Sequence, residues 1–276
     1  MSTYKELVNA ARKTFKEHEI VDADVDAWYL LSHVFQISRT DYLLNQAKVA
    51  DEARTIEFNQ LVELRTKHIP LQHITGVQEF MGLEFEVTPD VLIPRQDTET
   101  LVEEVLKHCD GKSILDMCTG SGCIIISICK LGNPSKAVGV DISDKALVVA
   151  TKNAAKHKVE LELIQSDLYD QVEGSFDVVI SNPPYIPTDI IDELMPEVKN
   201  HEPFIALDGS KDGLYFYRKI TVGLNQYLRR GGIVYYEIGH DQGDAVSQIL
   251  SREGFVDIKV KKDLSGLDRV VSARKP

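Results

Sequence analysis

The sequence lacks an excess of positive charge. It carries 31 Lys and Arg residues against 43 Asp and Glu residues, which gives a formal net charge of −12. The deficit is not confined to one segment, because residues 1–75 hold 9 basic and 11 acidic residues and the remainder holds 22 and 32. A protein that binds nucleic acid through its phosphates concentrates Lys and Arg on one face. The charge therefore argues against direct binding of nucleic acid.

Long apolar runs are also missing. No stretch of 18 or more consecutive apolar residues occurs, and the first 19 residues are charged and amphipathic, unlike the apolar core of a secretion signal. We therefore expect no membrane association and a cytosolic location.

Cysteine is scarce, and its spacing does not suit a metal site. The four cysteines fall within Cys109–Cys129 and form no CxxC pair, so neither a zinc site nor a secreted disulfide framework is predicted. In the cytosol they should be reduced and mostly buried. The histidines are scattered, and Asp22, Asp24 and Asp26 lack the Gly and distal Glu of a calcium loop, so we predict no metal.

The composition that remains is that of a globular protein with more than one domain. Hydrophobic residues make up 43% and charged residues 27% of the chain, which is typical of a globular protein. Its length of 276 residues exceeds that of a usual single domain. Helical spacing of apolar residues at Trp28, Leu31 and Phe35, and again from Phe58 until Pro70, predicts a small helical domain over 1–75.

A hairpin and an alternating region follow. Residues 77–88 alternate apolar and polar around Met81-Gly82, which predicts a β-hairpin linker over 76–90. Over 91–276, strands alternate with helices that we place from about Thr98, from Cys123, and over 144–157, 212–230 and 241–252. This alternation indicates a parallel sheet covered on both faces.

The last two strands are joined by a short connection over 264–268, so they should pair antiparallel. Seven strands with the last one reversed is the order found in class I methyltransferases. We therefore predict an α/β, Rossmann-like fold of this class with a small N-terminal helical domain.

A glycine-rich turn predicts a nucleoside site. The segment from Asp116 to Gly122 follows an apolar strand and opens a helix, and Asp141 ends the next strand, 19 residues after Gly122, where its carboxylate can accept hydrogen bonds from ribose hydroxyls. Dinucleotide binding would require a third glycine where Ile125 stands, which disfavours NAD. Asp167 ends the third strand and can accept a hydrogen bond from the adenine amine. The alternative is that Asp141 and Asp167 only cap the helices that follow.

Asn182-Pro183-Pro184-Tyr185 ends the fourth strand and suits the binding of a planar nitrogen nucleophile. The Asn182 side-chain oxygen can accept one N–H and the Pro183 carbonyl the other. The two prolines fix φ and stiffen that carbonyl, while Tyr185 offers a ring for stacking. No metal is required. The alternative is a plain turn, because Asn-Pro and Pro-Pro are common turn dipeptides.

With these motifs in place, the chain closely resembles the HemK/PrmC family, the peptide chain release factor glutamine-N5 methyltransferases. The resemblance runs nearly end to end, and the segment from Gly76 to Glu99 is its most family-specific part. Besides the two motifs, it includes Pro70-Leu71, Gly76, Glu79-Phe80, Gly82-Leu83, Leu92-Ile93-Pro94-Arg95, Asp97-Thr98-Glu99, Glu202-Pro203, Ala206-Leu207, Asp212-Gly213-Leu214, Glu237-Ile238-Gly239 and Asp268-Arg269-Val270-Val271.

The resemblance implies that S-adenosylmethionine is the cofactor, S-adenosylhomocysteine the product, and a class-1 release factor the protein substrate, docked in part by the helical domain. It implies that the cofactor contacts Cys118, Thr119, Gly120, Ser121, Gly122, Asp141 and Asn182. It also implies that Asn182 to Tyr185 grip the glutamine of the GGQ loop.

Two positions depart from the family pattern. Leu168 lies where many relatives carry an aromatic residue beside the adenine, and Gln96 replaces a common proline after Arg95. Arg95 is a possible site residue, with a surface or salt-bridging role as its alternative.

Two other functions compete with glutamine methylation. N6-adenine or N2-guanine methylation of RNA or DNA is compatible with the Asn-Pro-Pro-Tyr motif but is opposed by the acidic charge. A nucleoside-binding scaffold without activity would leave the intact motif unexplained.

Overall fold

A computed structural model of the chain describes residues 2–276. The chain folds as two units, one made of the residues up to Gly76 together with Met195–His201, the other of Val77–Leu194 and Glu202–Pro276. The sequence pattern did not assign Met195–His201 to the first unit. None of the helices described over 2–276 is long and apolar enough to cross a membrane.

The first unit is helical. Its core is formed by fully buried side chains such as Phe15, Leu30, Leu31 and Phe58. The helix that contains Phe58 ends at Thr66, before Pro70, because His68 adopts a left-handed φ of +59°. The helices are α1 (Tyr4–Glu17), α2 (Ala23–Phe35), α3 (Arg39–Leu44), α4 (Glu52–Thr66) and α5 (Leu71–Thr75), with a further helix over Pro196–His201.

A buried ion network holds the Pro196–His201 helix to α2 and α4. Arg65 Nε contacts Asp26 Oδ2 at 2.7 Å, and Arg65 Nη2 contacts Glu197 Oε1 at 3.0 Å. The His68 ring lies 3.1 Å from the same Glu197 oxygen. Burial raises the pKa of Asp26, and Arg65 opposes that rise. Asp26 is therefore a buried partner of Arg65.

The second unit begins with the predicted hairpin. Strands β1 (Val77–Phe80) and β2 (Leu83–Glu86) pair antiparallel around Met81 and Gly82, whose φ values are +53° and +70°. Positive φ at both central residues is the type I′ geometry that matches the strand twist.

A seven-stranded sheet forms the centre of the second unit. Its order is β5-β4-β3-β6-β7-β9-β8, and β9 runs antiparallel to both of its neighbours, while the other strands run in one direction. The predicted parallel sheet with a reversed last strand is confirmed. The strands are β3 (Ser113–Met117), β4 (Lys136–Asp141), β5 (Glu162–Gln165), β6 (Phe176–Ser181), β7 (Leu228–Glu237), β8 (Val256–Lys262) and β9 (Asp268–Arg274).

Successive residues of the central strands bury on opposite faces of this sheet. Leu115 and Val179 join one apolar cluster, whereas Ile114, Val178 and Ile180 join another. Burial on both faces explains why these strands are apolar throughout.

Helices cover both faces of the sheet. The last two are shorter than the sequence predicted, since they span Tyr215–Tyr227 and Gly243–Arg252 instead of 212–230 and 241–252. The helices are α6 (Glu99–Leu106), α7 (Cys123–Leu131), α8 (Asp144–His157), α9 (Tyr215–Tyr227) and α10 (Gly243–Arg252), with 3₁₀ turns at Gln96–Thr98, Thr188–Glu193 and Phe204–Ala206. The helix expected from about Thr98 begins at Glu99, after one of these turns. Between β5 and β6, where no helix was predicted, residues 167–171 form a bend and turns, and no helix is described.

Candidate active site

The glycine-rich loop and the Asn-Pro-Pro-Tyr segment begin side by side. They follow β3 and β6, which are parallel neighbours with Met117 and Ser181 in register. The Ser181 hydroxyl donates to the Met117 carbonyl at 2.7 Å and ties the two strand ends together. Residues of both loops line a cavity of about 280 Å³ at this edge of the sheet.

The glycine-rich loop is a series of left-handed turns. Cys118, Gly120 and Gly122 have φ values of +64°, +54° and +78°. At the base of the loop, the Thr119 hydroxyl donates to Asp116 Oδ2 at 2.7 Å. Asp116 is fully buried, and burial raises its pKa to about 7 although the Thr119 hydrogen bond opposes the shift. The hydrogen bond between Thr119 and Asp116 thus holds the loop to the end of β3.

Nearly all of the predicted cofactor residues line the cavity. Those that do are Cys118, Thr119, Gly120, Ser121, Asp141, Asp167, Leu168 and Asn182. Gly122 lies behind the loop, where a Cβ atom would stand 2.8 Å from Ile126 Cδ1 and 3.2 Å from Ala150 Cβ. The absence of a side chain at Gly122 leaves room for Ala150 of α8 beside the start of α7.

Asp141 is bound to the glycine-rich loop. Its Oδ2 accepts from the Gly120 N–H at 2.8 Å and its Oδ1 from the Ser143 N–H at 2.9 Å. Helix α8 is capped by Ser143, whose hydroxyl accepts from the Ala146 N–H at 3.2 Å, so the alternative that Asp141 only caps this helix is wrong. Burial raises the pKa of Asp141, and the backbone N–H donors oppose the rise. Each carboxylate oxygen retains a lone pair for a ligand hydroxyl.

Asp167 and Leu168 lie at the end of β5. Asp167 is exposed, and Leu168 adopts a left-handed φ of +48°. Since only turns follow, there is no helix for Asp167 to cap, and that alternative is wrong as well. The cavity therefore presents two carboxylates and an apolar Leu side chain at the ends of β4 and β5, which suits the ribose, the amine and the ring of an adenosine.

The Asn182–Tyr185 segment is only partly on the cavity. Asn182 and Pro184 line it, whereas Pro183 and Tyr185 do not. The Tyr185 carbonyl accepts from Gln242 Nε2 at 3.0 Å. A Cβ atom at Gly213 would lie 2.3 Å from that same oxygen, so the backbone is closely packed here.

Arg95 lines the cavity and forms a salt bridge. Its Nη2 lies 2.7 Å and 2.8 Å from the two carboxylate oxygens of Glu202, whose side chain is 1% exposed. Burial raises the pKa of Glu202, and Arg95 opposes that rise. The salt-bridging alternative for Arg95 is thus observed, at a position where the side chain also faces the cavity.

Sequence reasoning missed several residues at this site. Ile205, Tyr215 and Phe216 line the cavity from two separate segments, and the Tyr215 and Phe216 rings meet edge to face at 5.2 Å. The sequence did not mark these residues as part of a site, because apolar residues that face a cavity are of the same types as those in a core. Glu237 was noted only as part of a family motif.

Comparisons with known proteins agree with this geometry. Residues 6–76 match the family model described as "PrmC N-terminal domain" and residues 95–195 the "Methyltransferase small domain". A methyltransferase from Pyrococcus furiosus superimposes with a TM-score of 0.56 at 19% identity, covering 70% of this chain and 89% of that one, which shows the fold alone.

Two full-length relatives are much more similar. The release factor glutamine methyltransferase of Geobacter sulfurreducens is 39% identical over 99% of this chain and 96% of its own length. That of Clostridium botulinum is 40% identical over 98% of this chain and 99% of its own length. The chain belongs to the release factor glutamine methyltransferase family.

Proposed function

We propose that the protein transfers a methyl group from S-adenosylmethionine to the side-chain N5 of a glutamine in a class-1 peptide chain release factor, the glutamine of its GGQ loop. The observation that carries this proposal is the shared cavity: Asn182 lies at its wall beside the Cys118–Ser121 loop. A nucleoside cofactor and a planar amide can therefore meet within one site.

The residues at the cavity fit the cofactor. Asp141 accepts from the ribose hydroxyls and Asp167 from the adenine amine, while Leu168 packs against the ring. The left-handed turn at Gly120 allows the backbone to approach closely. When bound, S-adenosylmethionine supplies an electrophilic methyl group on a sulfonium, and S-adenosylhomocysteine is left after transfer.

The protein must then hold an unreactive amide nitrogen in place. The lone pair of this nitrogen is delocalised into the carbonyl group of the amide, which makes the nitrogen a poor nucleophile. The Asn182 side-chain oxygen and the Pro183 backbone carbonyl each accept one N–H and thereby favour a pyramidal nitrogen. In this proposal the Tyr185 ring stacks on the planar amide, although Tyr185 does not itself line the cavity. Orientation of this kind contributes up to about 7–11 kcal/mol in favourable systems. Methyl transfer would leave the amide nitrogen with one excess proton, which solvent water would take up.

The first unit serves to dock the release factor in this proposal. Its match to the PrmC N-terminal domain supports this role. The net charge of −12 supports a protein substrate over direct nucleic-acid binding. Release factors act in the cytosol, which is where we place the enzyme.

The proposal is tested by following the methyl group. A purified class-1 release factor is incubated with the protein and methyl-labelled S-adenosylmethionine, and the product is analysed by intact mass and peptide mapping. The matched control is the same release factor with its GGQ glutamine replaced by alanine. We expect one methyl group on the glutamine peptide and none on the control.

Other outcomes would overturn the proposal. Label that persists on the control excludes this glutamine. Label in RNA or DNA, with a steep dependence on salt, identifies a nucleobase methyltransferase. Cofactor binding without transfer to any substrate identifies a scaffold.

A further inference from the structure

Arg95 is the only cationic residue among the described residues that line the cavity. Three acidic residues, Asp90, Asp141 and Asp167, also line it. Asp90 forms a salt bridge with Lys145 at 3.4 Å, and no salt bridge of Asp141 or Asp167 is described in the chain over 2–276. A negatively charged part of a ligand would therefore be repelled by the acidic residues of the cavity and attracted by Arg95 alone.

Glu202 holds the Arg95 guanidinium through one nitrogen. Arg95 Nη2 lies 2.7 Å and 2.8 Å from the two carboxylate oxygens of Glu202, whose side chain is 1% exposed. No hydrogen bond of Arg95 Nε or Nη1 is described within residues 2–276, and the Arg95 side chain is 41% exposed. A guanidinium has five N–H donors, so the three on Nε and Nη1 are available to a ligand.

Arg95 lies toward the end of the cavity that is opposite the adenosine site. In the sheet, β4 and β5, which lead to Asp141 and Asp167, lie on one side of β3, and β6, β7 and β9 lie on the other. Asp97 Oδ2, two residues after Arg95, lies 3.1 Å from Arg269 Nη2 of β9. S-adenosylmethionine carries its adenosine at one end and an amino acid with a free carboxylate at the other. With the adenosine at Asp141 and Asp167, the amino acid is directed toward Arg95.

We propose that Arg95 binds the α-carboxylate of S-adenosylmethionine, the cofactor of the proposed function on which this inference rests. A guanidinium forms short, charge-assisted hydrogen bonds to a carboxylate, and its planar fork can make two of them at once. Glu202 is then a positioning residue, because it orients the fork by binding Nη2 from the protein side.

A peptide carbonyl of the release factor is the other oxygen that Arg95 could bind. A carbonyl group is neutral and finds hydrogen-bond donors in many side chains, whereas a carboxylate in an acidic cavity requires a cation. The single cation of the cavity wall therefore favours the carboxylate. A purely structural pairing with Glu202 would use Nη2 and leave the remaining donors without a role.

The experiment measures two Kd values by calorimetry, for S-adenosylmethionine and for decarboxylated S-adenosylmethionine, which lacks only the carboxylate. Arg95→Met should bind S-adenosylmethionine about ten- to a hundredfold more weakly, as for loss of a hydrogen bond between charged groups. It should bind the decarboxylated form at least as tightly as the unchanged protein does, because no partner of that ligand is lost. Arg95→Lys retains the charge without the fork and should lose less than Arg95→Met.

Two further variants separate binding from damage to the fold. Arg95→Met leaves Glu202 buried without its partner, so Arg95→Met/Glu202→Gln removes the uncompensated charge and should show the same selective loss. Arg229→Met is the matched control, because Arg229 forms a salt bridge with Asp177 at 2.9 Å, is 50% exposed and does not line the cavity. It should bind both ligands as the unchanged protein does. Should Arg95→Met not fold, the double variant decides the matter.

Three results would overturn the inference. Equal weakening of both ligands in the double variant shows a structural role, and unchanged binding of S-adenosylmethionine shows no role in binding it. An unchanged Kd together with a raised KM for release factor shows that Arg95 contacts the protein substrate instead. Calorimetry requires no release factor, so the role of Arg95 can fail while methylation of release factor stands, and the reverse.

Discussion

Replacing Gly122 by alanine should damage the cofactor site from behind. Gly122 has a φ of +78°, and an added Cβ would lie 2.8 Å from Ile126 Cδ1 and 3.2 Å from Ala150 Cβ. The left-handed conformation costs an L side chain about 1–2 kcal/mol. Overpacking adds about 1–3 kcal/mol, because α7 and α8 meet at this point. The total expected loss of stability is about 2–5 kcal/mol.

Gly174→Ala separates the two contributions. Gly174 has a similar φ of +84°, but no atom lies within 4 Å of its ideal Cβ position. This control should lose only the conformational part, about 1–2 kcal/mol. Each kcal/mol lowers the melting temperature of a unit of this size by about 2–4 °C, so Gly122→Ala should melt roughly 2–12 °C below Gly174→Ala.

Cofactor binding provides the second measurement. A displaced α7 should shift the loop in which the Gly120 N–H donates to Asp141, so Gly122→Ala should bind S-adenosylmethionine at least about tenfold more weakly, the equivalent of about 1.4 kcal/mol. Gly174→Ala should bind it as the unchanged protein does. Thermal unfolding and calorimetry give both values. Equal melting temperatures and equal Kd values for the two variants would refute the reasoning.

Three further predictions follow from the structure. Asp141→Ala should raise the Kd for S-adenosylmethionine about tenfold or more, because hydrogen bonds to a charged group contribute about 1.5–3 kcal/mol; an unaltered Kd in calorimetry would contradict the ribose role. The pKa of Glu237 is raised from 4.5 to about 7, so its contribution to stability is complete below about 4.5 and is lost as pH rises through 7. The free energy of unfolding of Glu237→Gln, relative to that of the unchanged protein, should therefore rise by up to about 3 kcal/mol between about pH 5 and pH 8. Denaturant unfolding measures this difference, and a difference that does not change with pH would refute the prediction. Arg65→Met should destabilise the first unit by about 3–5 kcal/mol, because Asp26 is left buried without its partner, and Arg65→Met/Asp26→Leu should recover part of the loss in the same assay.

The sequence predicted those parts of the fold that depend on local pattern. Apolar runs marked the buried parallel strands, and the alternation of apolar and polar residues around Met81-Gly82 marked the hairpin. The short connection over 264–268 correctly predicted that β9 is reversed. In each case the signal lies within a few residues of the feature.

Features that depend on distant contacts were not predicted. Met195–His201 joins the first unit through the pairing of Glu197 with Arg65, which are far apart in sequence.

The site was predicted in the same uneven way. Its two loops carry distinctive residue types, and each was placed after a strand of the predicted parallel sheet; the structure shows that these strands, β3 and β6, are neighbours. Ile205 and Phe216 carry no such signal, because a cavity wall and a core have the same composition. Glu237 is buried, and its Oε2 has no hydrogen-bond partner among residues 2–276, which is known only once the burial and the hydrogen bonds of the side chains are known.

The measurement that tests the central claim most directly is the single-turnover rate of Asn182→Ala on a class-1 release factor at saturating S-adenosylmethionine. Saturation removes any effect on cofactor affinity and leaves only the hold on the amide. Loss of one positioned hydrogen-bonding group should lower this rate about 10²–10³-fold, while the melting temperature changes little. A rate within about twofold of the unchanged protein, far below the loss expected from such a group, would show that Asn182 does not position the amide and would contradict the account.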